Sequence, residues 1–175
     1  RVVEERDASP GERALEEVAG GLYAFDAAWL REALPALRPS PASGELYLTE
    51  LVGLARGAGR GVAALAVADA AELAGVNDRR QLAGAEAEVR RRLLDAHLLA
   101  GVTMRDPATV YLDADVVLAR DVVLEPNVIL RGRTTVGEGT VIGAGSQLFD
   151  SHIGAGCRVW ASVVEASTVE DEVTI

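Results

Sequence analysis

The second half of the chain repeats an aliphatic side chain at intervals of about six residues. The repeated positions are Leu112, Leu118, Leu124, Leu130, Val136, Ile142, Leu148, Ile153, Val159, Val163, Val169 and Ile175. Smaller or β-branched partners lie two residues earlier, at Val110, Val116, Val122, Val128, Thr134, Thr140, Ser146, Ser151, Cys157, Ala161, Ser167 and Val173. Because side chains two apart on a strand share a face, we expect both sets to point inward.

Turn-forming residues follow the aliphatic position in several hexads, as in the sequences VGEG at 136–139 and IGAG at 142–145. Each hexad therefore predicts one short strand and one corner. Three such hexads form one triangular coil of a parallel β-helix, so the series predicts roughly three and a half coils. The spacing shortens between Leu148 and Ile153 and between Val159 and Val163, where we expect corners.

The first 76 residues alternate between strand-like and helix-like apolar patterns. The predicted buried strands are 18–25 and 62–67, with a strand-like start at 2–3, and the predicted helices are 27–37 and 48–56. Asp26 is the expected N-cap of the first helix, Trp29 is expected in the core, and the breaker-rich segment 38–44 is expected to be a loop. This alternation predicts an α/β domain.

A long amphipathic helix is predicted from Asp78 to about Ala100. Its apolar stripe consists of Leu82, Ala85, Val89, Leu93, Ala96 and Ala100. Charged residues lie on the other faces, Gly101 is expected to end the helix, and Pro107 breaks the backbone before the first hexad. The predicted order is therefore α/β domain, connecting helix and β-helix.

Composition and charge narrow the function classes. The net charge is −10 and all 17 basic residues are arginines that form no basic stripe, so we expect no nucleic-acid partner and no anionic membrane surface. No apolar run reaches the roughly 18 residues of a membrane span. The single cysteine, Cys157, excludes a disulfide framework within the chain, favours a reducing compartment and is expected to serve packing.

Four segments resemble those of one enzyme family, in the same order. They are VEERDA at 3–8, ELYLTE at 45–50, GVNDRRQL at 75–82 and LAGVTMRDP at 99–107. Followed by hexapeptide repeats, they are similar to the bacterial bifunctional N-acetylglucosamine-1-phosphate uridyltransferase and glucosamine-1-phosphate acetyltransferase. The resemblance covers nearly the whole chain.

The resemblance implies three regions. Residues 1–77 would be the C-terminal part of a nucleotidyltransferase domain, residues 78–107 a connecting helix and linker, and residues 108–175 the first coils of a left-handed parallel β-helix acetyltransferase domain. The family enzyme transfers acetyl from acetyl-CoA to glucosamine-1-phosphate and then uridylyl from UTP to N-acetylglucosamine-1-phosphate. It is cytoplasmic, homotrimeric and magnesium-dependent, and it supplies peptidoglycan synthesis.

The resemblance also implies that the chain is a fragment and inactive alone. The family's glycine-rich nucleotide loop and metal aspartate would lie upstream of residue 1, and its acetyltransferase histidine would lie beyond Ile175. No catalytic residue is therefore expected within the chain. His97 and His152 are its only histidines, and since no nucleophile motif lies beside either, we expect structural or solvent roles.

Three substrate-side residues are carried over by matching motifs. Glu4 matches the glutamate that lines the family's sugar pocket, and Thr49 lies in the substrate-side Y-L-T segment. Asn77 matches the asparagine that helps hold magnesium and the nucleotide phosphates, although an asparagine here would equally suit the N-cap of the following helix.

The chain departs from the family at three places. Ala19-Gly20-Gly21 replaces the N-T-G or N-S-G that contacts the acetamido sugar, residues 40–43 replace N-N-A-Q, and Asp78 replaces a second asparagine. Two alternatives therefore stay open. One is another sugar-1-phosphate nucleotidyltransferase with a β-helix, and the other is a non-catalytic relative whose β-helix only trimerises or scaffolds.

A homotrimer is also expected from the outward hexad positions, which are too apolar to be left to water. These positions are Val117, Val123, Ile129, Val141 and Val164. Trp160 is expected to face a trimer neighbour or solvent.

Overall fold

The computed structural model describes residues 2–41 and 43–175. The chain forms two compact units, Arg1–Gly75 and Val76–Ile175, which are described separately below. The first unit is a small helical assembly, and the second is a helix followed by a β-solenoid.

The described part of the first unit contains three short α-helices, α1 (Pro10–Arg13), α2 (Ala27–Ala33) and α3 (Glu50–Gly57), and three 3₁₀ turns, Glu5–Asp7, Leu34–Ala36 and Ala70–Leu73. The Asp26 carboxylate caps α2 by accepting from the backbone N–H of Trp29 at 2.8 Å, as expected. Pro35 lies in the 3₁₀ turn that follows α2. A proline has no backbone N–H to donate, so the α-helix does not continue through it. Both predicted helices are confirmed with shifted ends.

The core of this unit is one small cluster. It contains Trp29, Ala33, Leu37, Leu51 and Ala55, with Phe25 and Leu30 packed against it. The expectation that Trp29 belongs to the core is confirmed. The predicted loop 38–44 is also confirmed for the residues described there, while residue 42 lies outside them.

The strand predictions for the first unit are wrong. Residues 18–25 and 62–67 form no strand and are largely exposed, residues 2–3 form none either, and a lone bridge between Pro39 and Leu46 is the unit's pairing among the described residues. A strand is stable only when a neighbour pairs with its backbone groups, and an apolar run does not reveal whether such a neighbour exists. The α/β layout is therefore not seen in the described part of this unit.

The long helix α4 (Arg79–Leu99) is confirmed, and Asp78 is its N-cap. The helix ends in a Schellman motif, because the N–H of Val102 donates to the carbonyl of His97 and that of Gly101 to Leu98. Gly101 adopts φ +98°, a left-handed conformation that its lack of Cβ permits.

The predicted apolar stripe of α4 is only partly correct. Leu82 and Val89 are 56% and 57% exposed, while Leu94, which lies outside the predicted stripe, is 5% exposed and belongs to the solenoid core. The second half of α4 packs against the first coil through Arg90 and Leu94. Helical spacing indicates which residues share a face but not how far the partner surface extends.

The solenoid contains twelve short strands. They are β1 (Thr103–Met104), β2 (Tyr111–Leu112), β3 (Val117–Leu118), β4 (Val123–Leu124), β5 (Ile129–Arg131), β6 (Thr135–Val136), β7 (Val141–Ile142), β8 (Gln147–Phe149), β9 (His152–Ile153), β10 (Arg158–Val159), β11 (Val163–Glu165) and β12 (Thr168–Val169). A 3₁₀ turn, Pro107–Thr109, separates β1 from β2.

The strands form three parallel four-stranded sheets, with orders β1-β4-β7-β10, β2-β5-β8-β11 and β3-β6-β9-β12. The parallel β-helix is confirmed, with about four turns rather than three and a half. The extra strand is β1, which pairs with β4 although it precedes the first hexad.

The solenoid interior is close to the predicted one except in the last coil, where Ser167 and Ile175, both predicted to point inward, are exposed. Its large inward side chains, such as Leu124, Leu130 and Ile142, are fully buried, and each contributes about 1.5–3 kcal/mol to folding. The smaller inward hydroxyls are paired, since Thr140 Oγ1 donates to the carbonyl of Gly154 at 2.8 Å. Cys157 is also fully buried, which confirms its packing role.

The predicted inward position at Val163 is wrong by one residue. Val163 is 69% exposed, whereas Val164, predicted to face outward, is 8% exposed and lies in register with Leu148. Ala161 accordingly lies at the corner with φ +45°. Two adjacent valines leave the alternation ambiguous, and the register between coils decides it. The other outward positions are confirmed, at Val117, Val123, Ile129 and Val141.

Candidate functional site

A hydrogen bond joins two of the expected site residues, Glu4 and Thr49, across 45 positions of sequence. Thr49 Oγ1 donates to Glu4 Oε1 at 2.9 Å. Thr49 immediately precedes α3 and Glu4 immediately precedes the 3₁₀ turn Glu5–Asp7, so two element starts hold the pair. The hydroxyl fixes one carboxylate oxygen, and no hydrogen bond from the described residues engages the other.

Two cavities of the first unit share this pair in their walls. One has a volume of about 390 Å³ and is also lined by Asp7 and Tyr47. The other has a volume of about 860 Å³ and is also lined by Tyr23. A carboxylate, hydroxyls and aromatic rings around one space can bind a polyhydroxylated ligand by hydrogen bonds and by apolar contact.

Tyr23 and Tyr47 are wall residues that the sequence reasoning missed. Burial, together with the nearby Glu4 carboxylate, raises the pKa of Tyr23, so its hydroxyl stays protonated and can donate. The Tyr47 hydroxyl lies 2.6 Å from Ser43 Oγ. The Y-L-T segment could have pointed to Tyr47, whereas no local pattern marks Tyr23.

The segment Ala19-Gly20-Gly21 supplies no polar side chain to the larger cavity, which Ala19 and Gly21 line. A Cβ added at Gly20 would lie 2.6 Å from Leu73 Cδ1, so any side chain there requires Leu73 to move. A ligand in this cavity must therefore find its polar contacts at other lining residues, which include Glu4, Thr49 and Tyr23.

The third expected site residue, Asn77, belongs to the second unit and is described by itself. It is exposed, and the N-cap of α4 is Asp78, so the N-cap alternative for Asn77 is wrong. Its backbone N–H donates to Gln81 Oε1 at 2.6 Å, and its side-chain amide makes no hydrogen bond within the described residues.

The described residues contain no cluster of three or more His, Cys, Asp and Glu side chains that could hold a metal ion. An exposed amide oxygen is nevertheless a ligand type that magnesium accepts beside phosphates and waters. Asn77 is therefore suited to a supporting role, and the other ligands of such an ion would have to come from outside the described residues.

The two histidines take different environments. Burial beside the solenoid lowers the pKa of His97, so its ring is neutral near pH 7. His152 is exposed on β9, where its Nδ1 hydrogen-bonds to Thr135 Oγ1. Trp160 is half-exposed on the last coil.

Three parallel sheets of short strands, preceded by a long α-helix, define the protein class as a parallel β-solenoid protein with about four turns. No protein-family model matches the chain. Curated relatives, in contrast, match it well. The chain is 46% identical over 171 residues to the bifunctional protein GlmU of Pelotomaculum thermopropionicum, and this alignment covers 98% of the chain and 37% of that relative.

Two further relatives carry the same name. Identity is 50% over 158 residues to that of Kineococcus radiotolerans, covering 90% of the chain and 32% of the relative. Identity to the GlmU of Corynebacterium glutamicum is 53% over 115 residues, covering 66% of the chain and 24% of the relative. The chain belongs to the family of bifunctional GlmU proteins, and it spans about a quarter to just over a third of the length of these relatives. No described helix is long and apolar enough to cross a bilayer.

Proposed function

We propose that the chain is part of a cytoplasmic enzyme that makes UDP-N-acetylglucosamine by two reactions. Acetyl transfer from acetyl-CoA to glucosamine-1-phosphate comes first, and uridylyl transfer from UTP to the product follows. The observation that carries the proposal is the 46% identity over 171 residues to a protein named as bifunctional GlmU.

The proposal divides the chain by function. Residues 1–77 belong to the uridyltransferase, residues 78–107 connect, and residues 108–175 begin a left-handed acetyltransferase β-helix. The buried hexad positions and the three parallel sheets support the last assignment. The Glu4–Thr49 pair and its cavities support the first, although that unit shows no sheet among its described residues.

In this proposal the chain's own residues bind and orient the sugar phosphate. The Glu4 carboxylate accepts hydrogen bonds from sugar hydroxyls, and Thr49 keeps it from rotating away. Asn77 is the residue that would hold magnesium through its amide oxygen, and the ion would neutralise charge on the phosphates. Because one such group typically contributes 10- to 1000-fold in rate, its loss should be measurable.

A homotrimer is part of the proposal. Tyr111, Val117 and Val163 point outward from the solenoid and are exposed, which leaves apolar surface for a neighbouring subunit. Light scattering on the full-length protein should give three times the mass of one full-length subunit at micromolar concentration. A monomer mass would remove the trimer from the proposal.

The main rival is a nucleotidyltransferase for another sugar-1-phosphate, which the apolar segment Ala19-Gly20-Gly21 favours. The full-length protein should be assayed with UTP and either N-acetylglucosamine-1-phosphate or glucose-1-phosphate, and separately with acetyl-CoA and glucosamine-1-phosphate. The proposal expects the acetylated sugar to be preferred and acetyl transfer to occur. A preference for glucose-1-phosphate without acetyl transfer favours the rival, and no activity in any assay favours the scaffold alternative.

A further inference from the structure

Gln81 makes two hydrogen bonds to the backbone ahead of α4. Its Oε1 accepts from the N–H of Asp78 at 3.2 Å and from the N–H of Asn77 at 2.6 Å. The first contact, together with the donation from Gln81 N to Asp78 Oδ1 at 2.7 Å, completes a capping box around the N-cap. The second, shorter contact reaches one residue further.

Helix capping does not require this second contact. A capping box satisfies the N-cap and N3 amides, and both are already paired here. The bond to Asn77 instead holds the peptide that precedes the helix. The Asn77 side chain makes no hydrogen bond within the described residues, so what the structure fixes is the Cα–Cβ bond from which its amide extends. The described side-chain contact to the Asn77 backbone comes from Gln81.

We propose that Gln81 is a positioning residue for Asn77 in magnesium-dependent uridylyl transfer. By fixing the Asn77 peptide, Gln81 directs the Asn77 amide oxygen toward the magnesium and phosphates without contacting either. The inference rests on the proposed role of Asn77. Groups that orient a metal ligand typically change metal affinity by about 10- to 100-fold when they are removed.

Two substitutions of Gln81 separate positioning from helix capping. Gln81→Leu removes the acceptor at similar size, and Gln81→Glu keeps an acceptor at the same reach. Asp78→Ala is the matched control, because it breaks the capping box from the other side and leaves the acceptor for Asn77 in place. All variants should be made in the full-length protein.

Three readouts are measured. In metal-free protein, exchange of the Asn77 backbone amide should be faster in Gln81→Leu than in wild type, and unchanged in Gln81→Glu and Asp78→Ala. In uridylyl transfer, half-saturating magnesium should rise about 10-fold in Gln81→Leu only. The melting temperature should fall in both Gln81→Leu and Asp78→Ala, since both weaken the cap.

The Asn77→Ala variant distinguishes a failure of the inference about Gln81 from a failure of the proposed role of Asn77. In that background, Gln81→Leu should cause no further change in half-saturating magnesium. If Asn77→Ala lowers uridylyl transfer while Gln81→Leu alone leaves the magnesium requirement unchanged, the inference is overturned and the proposed function stands. If Asn77→Ala has no effect on uridylyl transfer, the assigned role of Asn77 fails, and Gln81 is a capping residue only. Unchanged exchange of the Asn77 amide in Gln81→Leu overturns the contact itself.

Discussion

The guanidinium carbon of Arg90 lies 4.3 Å from the centroid of the Tyr111 ring. Arg90 is on α4 and Tyr111 is the outward residue of β2, so the contact attaches the helix to the first coil of the solenoid. Leu94, one turn further along α4, enters the solenoid core. Together they fix the second half of the helix.

Breaking the Arg90–Tyr111 pair should lower the free energy of unfolding by a small but measurable amount. A double-mutant cycle with Arg90→Ala and Tyr111→Leu should give a coupling energy of about 0.5–1 kcal/mol, the usual value of an exposed cation–π contact. Urea unfolding measures it. The same cycle with Arg80, whose side chain is 91% exposed, in place of Arg90 should give a coupling near zero. Equal couplings in the two cycles would show that the contact between Arg90 and the Tyr111 ring contributes nothing.

Two leucines of α4 should behave differently. Leu94→Ala should destabilise the protein by about 2–5 kcal/mol because it leaves a cavity in the solenoid core, whereas Leu82→Ala should change stability by less than about 0.5 kcal/mol. Thermal and urea unfolding compare them directly. A large loss at Leu82 would mean that the first half of α4 is also buried in solution.

The register of the last coil can be tested with the adjacent valines. Val164→Ala should cost about 1–3 kcal/mol, since it removes two buried methyl groups, and Val163→Ala should cost less than half as much. Unfolding of both variants decides between the two registers. A larger loss of stability in Val163→Ala than in Val164→Ala would mean that Val163 points inward, as the hexad spacing predicts.

Acid should weaken the protein through His97. Burial lowers the pKa of His97 in the folded state, so the unfolded chain binds more protons once the pH falls below the ordinary histidine pKa of about 6.5. The contribution of the neutral His97 ring to the free energy of unfolding is fully present above that pH. It declines as the pH falls from the ordinary histidine pKa through the lowered pKa of His97 in the folded state. His97→Gln should remove this component of the pH dependence, while His152→Gln, an exposed control, should retain it. Urea unfolding between about pH 7.5 and 5 measures the difference.

Sequence alone predicted the solenoid well because its signal is repeated. Twelve inward pairs recur along residues 110–175, so an error at one pair leaves the others to define the strands. The Val163–Val164 error arose where the repeat shortens and both candidates are valine. The strands at 18–25 and 62–67 failed because pairing depends on a partner that composition does not show.

The candidate site was only partly predictable for a related reason. Motif matching named Glu4 and Thr49, but their direct hydrogen bond joins positions 45 residues apart, which no local pattern reveals. Tyr23 was missed because its relation to Glu4 is purely spatial. Gln81 lies within the segment GVNDRRQL at 75–82, but its contact with the Asn77 backbone is visible only in the structure.

The central claim, a two-reaction enzyme whose uridylyl transfer depends on this chain, is tested most directly by assaying both reactions of full-length wild type and Asn77→Ala. The account predicts that uridylyl transfer falls by roughly 10- to 1000-fold while acetyl transfer and the melting temperature stay near wild type. Equal loss of both activities with a lowered melting temperature, or unchanged uridylyl transfer, would contradict it.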